Sequence, residues 1–528
     1  EGYICFDEQI QLTNQLFSEY PDVLKSYQQR FRYVMIDEFQ DIDPLQYRLM
    51  KALCGYHNNL FIVGDPDQTI YTWRGADVRY LLHFDREFPH VKTIIMDDNY
   101  RSTPDILDAA NSLIDKNENR IPKNLISHKE KGRPVTVMAA ANGGEEAKAV
   151  ASAVKKFHES GRKYSDIAIL YRAHYVTRNL EEGLIKADIP YVIYSGAQFF
   201  DRMEIKDALC YLRMIACRDD MAFRRIVNKP KRNIGRRRMD FLTEKAQEEN
   251  TSLYETLKKY VEDPLFKTTK ASDFIELIEY FTKDSEGKQV SEVLSAILDE
   301  SGYEKMLRTE GSQERLDDLA ELKQSIFEYE STAGEETSIS DYLDHAALFS
   351  NMDRGPEKDA VRLMTVHTAK GLEFPVVFLC GMNEGIFPSR KTRTKRGMEE
   401  ERRLAFVAMT RAEDELYLTE AEGTNLDGTP RFPSRFILDI DRKYLSFDPP
   451  VNESLWKAGK AYVERTSAYL KDDGDKGHFP VGCRVRHTVF GMGTIEEVDE
   501  KNNSYRIRFD SMDTTRDIAF RARLVKAD

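Results

Sequence analysis

Several things are scarce in this chain, and each scarcity removes a class of protein. The six cysteines, at 5, 54, 210, 217, 380 and 483, are scattered and form no CxxC pair. That pattern argues against a zinc site or a disulfide framework and fits a reducing, cytoplasmic compartment. No apolar run is long enough to span a bilayer. The opening Glu1-Gly2-Tyr3-Ile4-Cys5 has neither the basic nor the apolar region of a signal peptide. Positive charge is in deficit: 77 Lys and Arg against 90 Asp and Glu leave −13. An acidic total disfavours indiscriminate nucleic-acid binding, although it can conceal local basic stripes. There are only two tryptophans among 528 residues. A Gly-x-x-x-x-Gly-Lys-Ser/Thr phosphate loop is also absent; Gly287-Lys288 and Gly459-Lys460 lack the upstream glycine and the hydroxyl.

What is present is a soluble, multi-domain pattern. A chain of 528 residues exceeds one hydrophobic core, and 41% hydrophobic with 32% charged residues suits a solvated globular protein. Residues 11–31 read as helical. Three short apolar runs follow, Tyr33–Ile36, Leu60–Val63 and Thr93–Met96, each ending in polar residues. They predict buried parallel strands of an α/β domain, with ligands held off their carboxyl ends. The pattern restarts after Gly132. Strands are expected at Pro134–Ala140, Ile167–Tyr171 and Tyr191–Tyr194, and helices at Glu145–Phe157 and Thr177–Lys186. Residues 200–355 are charged and helical in period. Strand signals then resume at Val361–Val366, Val376–Leu379 and Glu415–Leu418, with a helix at Glu399–Arg411. A helical block interrupting one α/β domain is the economical reading. Residues 421–478 show loop signals, and the last fifty alternate as a small β-barrel or half-barrel. Turns are expected there at Phe490–Gly493 and Lys501–Asn503.

Chemistry-bearing residues cluster at the strand ends. Asp37-Glu38-Phe39-Gln40-Asp41 offers one carboxylate to hold Mg²⁺ and the next to orient an attacking water. Alone, such a pair is as often a solvated loop. Gly64-Asp65-Pro66-Asp67-Gln68-Thr69-Ile70-Tyr71-Thr72-Trp73-Arg74-Gly75 carries an amide suited to sensing a γ-phosphate. It also carries Tyr71, Trp73 and Arg74, which could stack on unpaired bases. Asn99-Tyr100-Arg101-Ser102 pairs an aromatic ring with a phosphate-clamping arginine. His367, Lys370 and Glu373 share one connection between strands. The segment Glu399–Ala412 reads as a helix with an acidic start that suits the helix dipole, and Arg411 lies near its end. An arginine offered from a second α/β domain is what an arginine finger requires.

The order and spacing of DEFQD, GDPDQTIYTWRG, NYRST, TVHTAKGLEFPVVFL and EEERRLAFVAMTRA resemble helicase motifs II to VI of the UvrD/PcrA/Rep family of superfamily 1 DNA helicases. The terminal stretch from Val481-Gly482 to Gly493 resembles that family's Tudor-like C-terminal domain. The resemblance implies an α/β fold with two RecA-like P-loop-NTPase-type domains, the first incomplete. It also implies an inserted all-helical 2B subdomain and a small all-β Tudor-like domain. Residues 1–98 would be the C-terminal part of domain 1A with the end of 1B. Domain 2A would occupy 99–199 and 356–445, 2B 200–355, a linker 446–478 and the β-domain 479–528.

The same resemblance implies an ATP-driven monomer that moves 3′→5′ on single-stranded DNA and acts at single-strand/duplex junctions in repair or replication restart. By carry-over, Asp37 assists Mg²⁺, Glu38 activates water, Gln68 senses the γ-phosphate, and Arg101 and Arg411 stabilise transition-state charge. Tyr100 stacks on adenine and Glu373 binds the ribose. Tyr71, Trp73 and Arg74 face DNA, and His367 and Lys370, counted with the DNA-binding residues, couple the two sites. The segment Val227–Gly235 resembles a duplex-contacting hairpin, to which Lys231, Arg232 and Gly235 would contribute. Asn233 stands there where the family has glycine, and asparagine tolerates the left-handed conformation. Arg224, Arg225, Lys229, Arg236, Arg237 and Arg238 would thicken this into a basic patch. RNA polymerase is the implied partner of the β-domain, through Arg486, His487 and Phe490.

The missing phosphate loop predicts that the polypeptide begins downstream of it and, alone, neither binds ATP well nor hydrolyses it. A different class, a non-catalytic split protein that binds DNA or a partner, has no chemical need for Glu38, Gln68, Arg101 and Arg411. A helicase–nuclease of the AddA type would need an acidic, Lys-containing nuclease site, which the C-terminal β-domain does not supply.

Overall fold

The computed structural model describes residues 6–88, 90–194, 198–285, 287–333, 338–350, 359–424, 429–471, 483–487, 490–499, 504–510, 512, 514–519 and 524–526. Its contacts divide it into two compact units, one of residues 1–392 and 399–466, the other of 393–398 and 467–528.

The larger unit is built on a seven-stranded sheet whose ladders are all parallel. Its order is Leu445–Asp448, Val135–Ala140, Ala412–Ala421, Phe374–Cys380, Ile167–Tyr171, Val361–Thr365 and Tyr191–Ile193. Strands from before and after the helical block are therefore intermixed in one sheet. Ile169 faces both Leu363 and Phe378 in register. The central strands are continuous apolar runs because helices cover both faces; every residue of Ile167–Tyr171 is buried. On one face, helices Gly143–Glu159 and Thr177–Lys186 pack through Val150, Val154, Leu180 and Leu184 onto strand residues such as Ile169 and Phe378.

Residues 421–471 are more regular than their sequence suggests. The helix Arg435–Asp439 is followed by the strand Leu445–Asp448 and the helix Glu453–Ser467. The stretch expected as a linker thus supplies an edge strand, paired with Val135–Met138. An edge strand of four residues is too short to announce itself by alternation.

The helices from Met203–Cys217 to Ile339–Ser350 form a separate core around Tyr211, Phe223, Tyr254, Phe274, Leu294, Tyr303 and Tyr342. Upstream of the large sheet, Val34–Ile36 and Leu60–Ile62 form a parallel pair. These two strands are not buried as expected: Met35 is 74% and Phe61 60% exposed. The third expected strand, Thr93–Met96, has no ladder partner among the described residues; Asp98–Asn99, just beyond it, pairs with Ile126–Ser127. An apolar run becomes a strand only where another strand takes its hydrogen bonds.

The smaller unit holds five antiparallel strands in the order Thr515–Ala519, Ser504–Phe509, Gly491–Asp499, Arg484–His487 and Leu524–Lys526. They enclose Val485, Ile495, Tyr505, Ile507 and Phe509. Gly493 is required by packing: a Cβ there would sit 2.8 Å from the Arg508 carbonyl and from the side chains of Ile507 and Phe509. Gly491–Gly493 lies in a strand, so the expected turn is displaced toward Phe490. Phe490 packs on the apolar core and stacks on His487 at 4.8 Å, so of the three residues expected at this surface only Arg486 is fully outward. Val481, Gly482 and Lys501–Asn503 lie outside the described residues.

Candidate functional site

The acidic motif leaves the strand Val34–Ile36 through a left-handed residue. Glu38 has φ 51° and ψ 39°, a conformation that side-chain-bearing residues adopt at a cost of order 1 kcal/mol or more and that concentrates at functional sites. The carboxylate Oδ1 of Asp37 accepts the Glu38 amide at 2.9 Å. Gln40 is buried and ties two motifs together: its Nε2 donates to Glu38 Oε2 at 2.5 Å and its Oε1 accepts from the Asp65 amide at 2.9 Å. Gly64 must be glycine for this approach, because a Cβ would fall 2.8 Å from Gln40 Oε1. Gln68 donates to Asp65 Oδ2 at 2.9 Å.

A second network crosses from this acidic end to the large sheet's side. Lys370 Nζ donates to Asp41 Oδ2 at 2.5 Å and to the Gln68 carbonyl at 3.1 Å, and lies 5.2 Å from the Tyr71 ring centroid. Its side chain is only 8% exposed. Lys370 is therefore committed inward, where its contacts join the acidic motif to the aromatic turn. Burial pushes the Asp41 carboxyl above its ordinary range despite Lys370, and its Oδ1 is buried without a hydrogen-bond partner.

Tyr71, Trp73 and Arg74 form one exposed turn. Arg74 lies 4.6 Å from the Trp73 ring and 5.2 Å from Tyr71, while Trp73 remains 65% exposed. The Tyr71 hydroxyl donates to the His367 carbonyl at 3.1 Å. The His367 ring is held neutral: burial, then Arg172 and Arg74, lower its pKa to about 4.

The arginines meet near the end of the helix Lys395–Met409. Arg101 Nε donates to Glu373 Oε2 at 2.6 Å, so the two residues expected to hold different parts of a nucleotide hold each other. Arg411 is buried and bonds the Val407 carbonyl at 3.0 Å and the Leu372 carbonyl at 3.2 Å. Burial and the neighbouring Arg101 lower its pKa to about 10. A desolvated cation beside a second cation is a place where an anion would be welcome. Tyr100 is 72% exposed and stacks on His128 at 4.7 Å, and His128 Nε2 lies 2.7 Å from Asp98.

The acidic start assigned to the Arg411 helix has a different purpose. The helix begins at Lys395, so Glu399, Glu400 and Glu401 lie beyond its first turn. Glu399 accepts the amides of Glu118 and Asn119, Glu400 accepts from Thr72, and Glu401 pairs with Arg172 at 2.6 Å. Arg402 reaches Asp439 and Asn117, and Arg403 the Asn119 carbonyl.

Arg120 and Lys123 were not anticipated at all. Arg120 holds the fully buried Asp67 at 2.9 Å, and Lys123 contacts both Asp65 and Asp67. The only sequence signal was an acidic pair too apolar in setting to stay uncompensated.

In the helical block the basic patch is thinner than its sequence. Arg232 is buried over Phe274 and donates to the carbonyls of Ile226 and Lys229. It braces the turn and faces no solvent. Arg225 and Lys229 both pair with the single carboxylate of Asp207, which offsets one of their two charges. Lys231, Arg236 and Arg237 stay exposed beside Gly235. Asn233 adopts φ 63°, the left-handed state that the glycine-like turn needs.

Together these features define a class: a protein with a large parallel α/β sheet, an acidic strand end, an exposed aromatic turn and buried arginines brought to one place. Two family models cover most of the chain, a UvrD/REP helicase N-terminal domain over residues 1–89 and a UvrD-like helicase C-terminal domain over residues 94–423. The chain is 39% identical over 518 residues to the ATP-dependent DNA helicase PcrA of Staphylococcus epidermidis, covering 95% of this chain and 71% of that protein. It is 38% identical over 525 residues to the PcrA of Staphylococcus aureus, with the same coverage. A solved C-terminal domain of a possible DNA helicase from Lactobacillus plantarum aligns at TM-score 0.27 and 11% identity, over 66% of this chain and 99% of that one. That likeness is too slight to carry an argument. The chain belongs to the UvrD-like helicase family.

Proposed function

We propose that this chain provides the DNA-engaging and charge-stabilising parts of an ATP-dependent DNA helicase that moves 3′→5′ on single-stranded DNA and works at single-strand/duplex junctions. The observation that supports this reading best is the bridge between its two ends. Lys370, from the large-sheet side, contacts Asp41 and Gln68 of the acidic side as well as Tyr71 of the aromatic turn. One side chain thus touches the nucleotide-facing and DNA-facing motifs at once. That is the connection a motor needs if hydrolysis at one site is to move a strand at the other.

The residues suit ATP and a divalent cation in part. Asp37 and Glu38 are exposed carboxylates at a strand end, and the orphaned Asp41 oxygen lies close by. Asp37 would hold Mg²⁺, which supplies charge neutralisation at the phosphates when bound. Glu38 would accept a proton from the attacking water. Gln68, already oriented by Asp65, would meet the γ-phosphate, and Arg101 and Arg411 would balance charge on the transferred group. Arg101 must leave Glu373 to do so, freeing Glu373 for the ribose, while Tyr100 offers its open face to adenine.

No glycine-rich loop with its lysine occurs in the 528 residues, so the β- and γ-phosphates lack the cradle that gives them most of their contacts. ATP turnover by these residues therefore requires a cradle from outside them. In the helical block, read as a 2B subdomain, Lys231, Arg236 and Arg237 beside Gly235 would meet duplex phosphates. The five-stranded unit, read as Tudor-like, would serve a protein partner such as RNA polymerase, with Arg486 outward.

Unwinding by the full-length helicase tests the reading. A duplex with a 3′ single-stranded tail should be opened with ATP, and one with only a 5′ tail should not. Equal unwinding of both would refute the assigned direction.

A further inference from the structure

The Trp73 turn is held from across the molecule at two consecutive residues. Tyr71 is tied to the His367 carbonyl at 3.1 Å. Thr72 is tied twice to Glu400: its amide donates to Oε1 at 3.3 Å, and its hydroxyl donates to Oε2. Both carboxylate oxygens are thus spent on one residue of the turn. No cation among the described residues forms an ion pair with Glu400, whereas its neighbours Glu399 and Glu401 contact Arg403 and Arg172. Those neighbours, with Arg402 on Asp439, already anchor the helix. Glu400 thus spends its hydrogen bonds on the turn where its neighbours form ion pairs, and its contacts point to a separate task.

That task follows from position. The helix Lys395–Met409 ends two residues before Arg411, the buried cation assigned to the nucleotide. Trp73 directly follows Thr72 and is 65% exposed. A ring can stack on a base only if its turn is fixed beforehand; a loose turn must be ordered at the moment of binding, which weakens affinity.

We propose that Glu400 is a positioning residue for single-stranded DNA: through Thr72 it fixes the turn that presents Trp73, and it ties that turn to the helix leading to Arg411. The inference rests on the reading of Trp73 as a base-stacking residue. Glu400 touches neither DNA nor nucleotide. Movement of the Arg411 helix is transmitted to the stacking ring by two charge-assisted hydrogen bonds.

The test uses the 528-residue chain and a 16-nucleotide oligo-dT carrying a fluorescent label, with affinity read by anisotropy. Trp73 fluorescence gives a second signal, because the other tryptophan, Trp456, is 7% exposed. Glu400→Ala and Thr72→Val should each weaken binding about tenfold, the scale of losing hydrogen bonds to a charged group. The double variant should be no weaker than either single one, because both remove the same link. Thr72→Ser, which keeps the hydroxyl, should bind like the parent. Acrylamide should quench Trp73 more readily in Glu400→Ala than in the parent before any DNA is added. Unchanged melting temperatures would show that no variant has simply unfolded.

Parent-like binding by Glu400→Ala, or additive losses in the double variant, would overturn the proposal while leaving the stacking reading intact. Unchanged binding by Trp73→Ala would overturn the stacking reading and the proposal with it.

Discussion

The seven-stranded parallel sheet and the small parallel pair Val34–Ile36/Leu60–Ile62 differ in what covers them. Phe378 and Phe61 sit in equally apolar runs, Phe374–Cys380 and Leu60–Ile62. Phe378 is fully buried and stacks on Tyr417 at 4.8 Å, whereas Phe61 is 60% exposed. The difference teaches that an apolar run reports strand propensity, while burial depends on what is packed over each face. Carboxylates follow the same division. Glu420, in the large sheet, is buried with an unpartnered Oε2, while Glu38, beyond the small ladder, is open to solvent.

The sharpest way to break this comparison is a pair of truncations. Phe378→Ala should cost about 4 kcal/mol in urea unfolding, the range for deleting a core aromatic side chain. Phe61→Ala should cost less than about 1 kcal/mol, as a change at an exposed position does. Similar costs would remove the distinction.

Next is the pH dependence that Glu420 imposes. Burial, then Glu422 and Glu146, raise its pKa from 4.5 to about 8. The folded state then holds a proton that the unfolded state has released, so this group's stabilisation is fully present below pH 4.5 and is lost as pH rises through 8. Glu420→Gln should be more stable than the parent at pH 8, by about 3 kcal/mol, and nearly equal to it at pH 5. A pH-independent difference would mean that the carboxyl is not buried as described.

His367 should act in the opposite sense. Its folded pKa of about 4 lies below the ordinary 6.5, so the unfolded chain binds the proton first. Stability tied to this residue is complete above pH 6.5 and falls as pH drops toward 4. By pH 5 the loss should be about 2 kcal/mol, and His367→Gln should abolish it in thermal melts across that range.

The smallest effect concerns Glu38. Its φ of 51° suits asparagine better than glutamate, but Glu38 Oε2 also accepts from the buried Gln40, so in Glu38→Asn the relieved strain and the lost acceptor should offset to within about 1 kcal/mol while the group assigned to water activation is removed. The net change would be read by denaturant midpoint.

Much of this was legible in the sequence, for reasons that differ by region. The strands Ile167–Tyr171 and Phe374–Cys380 announced themselves because both faces are covered, leaving no polar interruptions. The interruption of one sheet by a helical block was visible as a change of period. The ladder between Ile169 and Leu363, across nearly two hundred residues, makes that reading concrete. Thr93–Met96 misled because its composition is that of a strand, while among the described residues no strand pairs with it.

Candidate site residues were chosen by type and spacing, which do not reveal their partners. Lys370 and Arg232 look like surface cations in one dimension. Only the fold shows Lys370 on Asp41 and Arg232 over Phe274. Glu399, Glu400 and Glu401 read as one acidic helix start, yet each reaches a different element. Charge runs do not reveal which side chain faces what, because successive helical residues point about 100° apart.

On the proposed reading, these 528 residues hold a motor's DNA-stacking turn, water activator and charge-balancing arginines without a phosphate cradle. ATP hydrolysis by this polypeptide, measured with and without saturating oligo-dT, tests it most directly. Oligo-dT should bind and quench Trp73, while ATP turnover stays at background whether or not DNA is present. Robust, DNA-stimulated hydrolysis by this polypeptide would contradict the account.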